Sequence, residues 1–113
     1  IRELRMSRWL GDVYKRQLLY DVIGTSVASQ ESVVAAFAIA QRVATANLSS
    51  FDALCMAASL GGDTDTIAAI LGAMLGACAG LDQWPAELIE QITAVNSLQL
   101  EPLVHQLLAL RNL

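Results

Sequence analysis

The stretch that decides the reading of this chain is "SLGGDTDTIAAILGAMLGACAG", Ser59 to Gly80. Two glycines precede two aspartates that alternate with two threonines, and a charge-free run of alanine, glycine and aliphatic residues follows. Consecutive helical residues advance about 100°, so side chains two apart point to nearly opposite sides. Asp63 and Asp65 therefore converge only if Asp63 lies in a loop and Asp65 caps the helix that begins near Thr66. In that arrangement Gly61 and Gly62 supply backbone angles closed to other residues and let a ligand approach the main chain. The ordinary use of such a stretch is capping, with Asp65 accepting the first amides and Asp63 solvated. Two converging carboxylates instead call for a cation, and hard oxygen donors suit Mg²⁺, Mn²⁺ or Ca²⁺. Spacing alone leaves both readings open.

Working outward, the pattern is helical throughout. Gly72, Gly76 and Gly80 repeat every four residues beside Ala69, Ala73 and Ala77. Each glycine costs about 1 kcal/mol of helix propensity, so the strip is expected to serve close helix packing. Upstream, a helix is expected from Gln30 to Ala46, capped by Ser29, with Val33, Phe37, Ala40 and Ala44 inward and Asn47 as its stop. Glu31 falls in its first turn, where the helix dipole favours an anion. A second helix, Phe51 to Leu60, carries a capping-box spacing at Ser49 and Asp52, with Phe51, Leu54, Cys55 and Ala58 as its apolar face. Downstream, Pro85 opens a helix from Ala86 to Val95 beside a core Trp84. Pro102 opens a last one to Leu110, with Leu103, Leu107 and Leu110 inward. His105, the only histidine, reads as a surface residue. No strand pattern of period two occurs, so the fold class is all-α, a compact multi-helix orthogonal bundle.

Composition narrows the function. The 113 residues are 55% hydrophobic with a mean hydropathy of +0.48, an apolar surplus that suggests an oligomer or a piece of a larger protein. A net charge of −4 and the lack of a basic patch argue against nucleic acid. The charge-free run from Thr66 to Leu81 is too short for a membrane span of about 20 residues, and no secretory signal is visible, so a cytoplasmic location without membrane partners is expected. Cys55 and Cys78 lack metal or redox spacing and read as reduced thiols on apolar helix faces.

Asp12 to Gln17, "DVYKRQ", resembles the translation of a transposon-end adapter used in sequencing libraries. We read "SRWLGDVYKRQ", and with it residues 1–17, as an adapter or assembly scar rather than as an ordinary basic helix from Arg2 to Leu19. Authentic sequence then begins at Leu18, inside an open reading frame.

Several families place aspartates two apart. The haloacid-dehalogenase pattern requires a preceding strand and a Thr or Val where Ile67 stands. EF-hand loops need further acidic positions and a central glycine, and nucleotide-sugar glycosyltransferases need an α/β context. One resemblance fits. "GGDTDTIAAILGAMLGACAG" is very similar to the C-terminal signature of the ADP-ribosylglycohydrolase family. "GTSVASQESVVAAFAIA" resembles the family's upstream segment, and "GLDQWPAEL" its stretch after the glycine helix, with Gln83-Trp84 in place of the usual apolar residue before the proline. The similarity covers Leu18 to Leu113. That family contains the hydrolase acting on ADP-ribosylated dinitrogen reductase, and also jellyfish lens crystallins.

The resemblance implies the C-terminal part of an all-α fold around a two-metal centre of Mg²⁺, with Mn²⁺ as the alternative. Asp63, Asp65 and Thr66 match its metal ligands, and Gly61 and Gly62 its substrate-facing loop. It implies hydrolysis at the ribose anomeric carbon of an ADP-ribosylated protein or a small ADP-ribosyl substrate. The family's remaining ligands, a Thr-Asp-Asp motif and an upstream acidic residue, belong to its N-terminal half and do not occur here. The chain is thus expected to need that missing N-terminal half of the same protein as its partner, to be inactive alone, and to expose apolar surface and aggregate. The rival expectation is a non-catalytic relative, an ADP-ribose-binding or crystallin-like structural protein.

Overall fold

The computed structural model describes residues 16–45 and 48–111. Among them are six helices and no strand. They are α1 (Leu19–Ile23), α2 (Ser29–Thr45), α3 (Ser50–Ala58), α4 (Thr64–Ala79), α5 (Ala86–Asn96) and α6 (Leu100–Leu110). The all-α expectation holds. Ala46, Asn47 and most of the adapter-like stretch lie outside the described residues. The chain divides into two compact units, Ile1–Gln83 and Trp84–Leu113.

In the first unit α4 lies against both α2 and α3, and α2 also meets α1 and α3. The core between them is built from Ala35, Ala36 and Ile39 of α2, Ala53, Met56 and Ala57 of α3, and Ile67, Leu71 and Leu75 of α4. Alanines on α2 and α3 let α4 come close, so the large side chains of α4 fill the space between them. This rotates both neighbouring helices away from their predicted faces. On α2, Phe37 is 58% exposed and Ala44 is also at the surface. On α3, Phe51, Cys55 and Ala58 are exposed, and both cysteines are free thiols at the surface. Reading for the largest apolar side chains misplaced the interface, because the helices meet through their smallest ones. The glycine strip is only partly occupied: a Cβ at Gly72 would sit 3.6 Å from a Leu54 methyl, whereas nothing lies within 4 Å of one at Gly76 or Gly80.

Helix ends follow side-chain chemistry. The Ser49 hydroxyl accepts from the Asp52 amide at 3.0 Å, as the capping-box spacing predicts. At the start of α2, by contrast, the Ala28 carbonyl receives the Glu31 and Ser32 amides at 2.9 and 3.0 Å, so Ser29 lies inside the helix instead of capping it. At the end of α4 the work falls to Gln83. Its side-chain amide donates to the carbonyls of Leu75 (2.7 Å) and Gly80 (3.0 Å), and its side-chain oxygen accepts from the buried Ser50 hydroxyl. Gln83 thus satisfies terminal carbonyls of α4 and links them to the first turn of α3.

The second unit is the pair α5 and α6. Pro85 occupies the position before α5, its carbonyl accepting from Leu88 and Ile89. Ser97, at φ 51°, closes α5 with a left-handed cap in which Leu98 donates to Thr93 at 3.0 Å. No residue of α5 or α6 is buried. Leu103, Leu107 and Leu110, expected inward, are exposed, as His105 is. Among the described residues no helix is long and apolar enough to cross a membrane.

Removing the Leu71 side chain should test this core. Leu71→Ala is expected to destabilise the 113-residue chain by about 2–5 kcal/mol in urea unfolding followed by circular dichroism. Leu107→Ala, a surface change of the same chemistry, should stay within about 0.5 kcal/mol.

Candidate functional site

The GGDTDT segment forms the turn between α3 and α4. Gly61 and Gly62 both take positive φ, 88° and 76°, which lets the chain reverse within four residues of the end of α3. Gly62 is also a point of close approach: a Cβ there would overlap the Thr25 carbonyl and stand 2.5 Å from its hydroxyl oxygen. Thr25, only 3% exposed, belongs to the loop between α1 and α2. The Asp63 amide donates to the Thr25 carbonyl at 2.6 Å, so the two loops are joined main chain to main chain. The glycine requirement at Gly62 therefore arises inside the chain. Gly61 faces the Tyr20 ring, 3.4 Å from a virtual Cβ, beside an open cavity of about 460 Å³ lined also by Arg16, Gln17, Ser59 and Leu60.

α4 begins two residues earlier than the sequence suggests, at Thr64 rather than Thr66. Asp63, not Asp65, takes the cap position, and its carbonyl accepts from Ile67 at 3.1 Å. Its carboxylate makes no capping hydrogen bond. It turns instead toward Asp65: the Asp65 carboxyl is held below the usual carboxylate range, first by a hydrogen bond with the Asp63 carboxyl, then by the amides of Thr66 and of Asp65 itself. Asp63 itself stands outside the helical spiral at φ −83°, ψ 61°. Asp63 is half-buried, while Asp65 and the neighbouring Thr66 are exposed.

This donor set, two carboxylates and a threonine hydroxyl, is all hard oxygen and fits Mg²⁺ or Mn²⁺ as part of a coordination shell. It does not complete one. Among the described residues no group of three or more His, Cys, Asp or Glu gathers to hold a metal.

Sequence reasoning missed the loop beneath Asp63. The Glu31 carboxylate reaches back along α2 to accept from the Ser26 amide at 3.0 Å. The Ser26 side chain first, and then this amide bond, hold the Glu31 carboxyl below its ordinary range. Gly24, at φ 87°, leaves room for the arriving side chain: a Cβ would lie 2.5 Å from the Glu31 carboxyl carbon. The Ser26 hydroxyl in turn accepts from Ala28 at 3.2 Å. A capping-box search looks for Ser and Glu three apart, whereas Ser26 and Glu31 are five apart, so the spacing gave no signal. Gly24 seven residues before Glu31 was the available clue.

Comparison with known proteins bears on the family resemblance. A family model described as ADP-ribosylglycohydrolase matches residues 2–113. The chain belongs to the ADP-ribosylglycohydrolase family. It is an all-α fragment of that fold, and the family is one of glycohydrolases. Among curated proteins, the "Uncharacterized protein YegU" of Escherichia coli (strain K12) is 39% identical over 80 residues, 71% of this chain but 23% of YegU. The chain thus spans about a quarter of that relative's length. No solved structure matches.

Two outcomes check the loop geometry of this family member. Gly62→Ala is expected to cost at least about 1–3 kcal/mol from its positive φ and to shift the Asp63 amide resonance, because the new Cβ pushes against Thr25. The second is a pH dependence. Glu31 titrates lower when folded than when unfolded, so its stabilising contribution is present above the unfolded pKa and lost as pH falls through the folded one. The Ser26 amide resonance should follow that titration, with a midpoint below the usual glutamate range, and Glu31→Gln should abolish the response.

Proposed function

We propose that this chain is the C-terminal metal-binding segment of an ADP-ribosylglycohydrolase that cleaves the bond at the ribose anomeric carbon of an ADP-ribosylated protein or a small ADP-ribosyl substrate. The observation that carries the reading is the GGDTDT turn itself: Asp63 stands at the start of α4 with its carboxylate unused as a cap and Asp65 two residues on, in a chain whose whole length matches the family model. Asp65 in the first turn suits the helix dipole by itself, whereas an uncapping carboxylate at Asp63 is free to meet a cation. Asp63, Asp65 and Thr66 would hold Mg²⁺ or Mn²⁺ from one side. When bound, such a metal pair supplies positive charge and orientation to the substrate's ribose hydroxyls and to a water.

The chain's own part is positional. Asp65 sits in the first turn of α4, where the helix end favours its ionised form, while Asp63 is set by its main-chain bond to Thr25. Rigid placement of anionic oxygens matters because glycosyl bond cleavage passes through an oxocarbenium-like state stabilised by preorganised electrostatics. Gly61 and Gly62, exposed beside these ligands, leave the main chain open to a substrate. The remaining ligands come from other parts of the full-length protein, so the 113-residue chain alone is inactive.

The test uses the full-length parent. Asp63→Ala and Asp65→Ala are each expected to weaken Mn²⁺ binding, measured calorimetrically, and to lower Mg²⁺-dependent release of ADP-ribose by at least about 100-fold, since even residues that only orient metal ligands account for 10–100-fold. Full turnover in both variants would overturn the metal reading. ADP-ribose release by the isolated 113-residue chain would overturn its dependence on the rest of the protein. A parent that binds ADP-ribose without hydrolysing it would identify a binding or structural relative.

A further inference from the structure

We infer that Glu31 is a positioning residue for the metal ligand Asp63, acting through the Gly24–Ser26 loop; this rests on the metal reading above. The route consists of three contacts. The Glu31 carboxylate accepts from the Ser26 amide at 3.0 Å and fixes the loop at its exposed end. Thr25, the preceding residue, is buried, and its carbonyl faces α4. That carbonyl accepts from the Asp63 amide at 2.6 Å and lies where Gly62 has no side chain. Both ends of the route carry a glycine whose Cβ would collide with the incoming group, Gly24 against the Glu31 carboxyl and Gly62 against the Thr25 carbonyl.

The consequence for Asp63 follows from its backbone. A residue at φ −83°, ψ 61° lies outside the helical region, and no capping hydrogen bond of its side chain holds it there. The Thr25 carbonyl, accepting from its amide, is the contact that anchors Asp63 at this point of the turn. If the loop relaxes, Asp63 is free to wind into α4, where positions 63 and 65 point apart and the carboxylate pair opens. Glu31 does not touch the carboxylates. It belongs to the class of groups that orient ligands from one shell out, whose removal costs about 10–100-fold in metal affinity.

The experiment uses the full-length parent with Mn²⁺ as the probe. Glu31→Ala should weaken Mn²⁺ binding about 10–100-fold by calorimetry, and Glu31→Gln, which keeps the shape and a neutral acceptor, should recover part of the loss. Amide exchange at Asp63 should accelerate in the same order. Ile39→Val, a core change on the same helix, supplies the structural control: it should lower thermal stability and leave Mn²⁺ affinity within twofold. Should the alanine variant fail to fold, the isosteric glutamine variant carries the comparison alone. Unchanged Mn²⁺ affinity and Asp63 exchange in a folded Glu31→Ala, with Asp63→Ala abolishing binding, overturn this inference and leave the metal reading standing. Undiminished Mn²⁺ binding in Asp63→Ala overturns both.

Discussion

The bond from the Asp63 amide to the buried Thr25 carbonyl is the contact on which the candidate site depends. It joins two loops separated by more than thirty residues of sequence, one leading into α2 and the other into α4. Packing of Ile67 and Leu71 against Ile39 and the alanines of α2 brings those helices together, but packing alone does not choose the backbone state of the residue before α4. The hydrogen bond does. It ties the Asp63 amide to the loop before α2 at the residue where α4 starts.

That arrangement has an electrostatic cost and a local compensation. Carboxylates within hydrogen-bonding reach repel when both are ionised. The start of α4 offsets this for Asp65, whose oxygens receive the Thr66 amide and its own, and the helix dipole favours negative charge at that end. Asp63 receives no such help from its side chain's surroundings, because its cap position is not used for capping. Asp63 is instead held by its main chain, through the bond of its amide to Thr25.

Much of this was legible before any coordinates. Two aspartates after two glycines, followed by an apolar helix free of charge, pointed to the turn and the family. The capping box at Ser49 and Asp52 and the all-α class also followed from spacing. The interface did not. Hydrophobic weight on α2 and α3 favoured Phe37 and Phe51, which are exposed, yet the buried stripe runs mainly through alanines with Ile39 and Met56, because closeness of approach to α4 outweighed the area of any one side chain. Long-range main-chain bonds leave no pattern in a single sequence either. Thr25 and Asp63 are 38 positions apart, and neither Glu31 nor Gln83 sits at a spacing that a local rule would flag. Gln83, which departs from the family's usual apolar residue, proves to hold the end of α4 to the start of α3.

The surface around the site extends the argument. Val27, on the same loop as Thr25, is 84% exposed, and Val22 and Phe37 are also largely open. Single exposed apolar residues are common, but here they lie on α1, the following loop and the outer face of α2, the elements that fix Asp63. On α4, Gly76 and Gly80 likewise present bare backbone with nothing in van der Waals reach. Exposed apolar side chains at Val22, Val27 and Phe37 thus lie on the elements that flank the loop pair joined by the Asp63 amide and the Thr25 carbonyl.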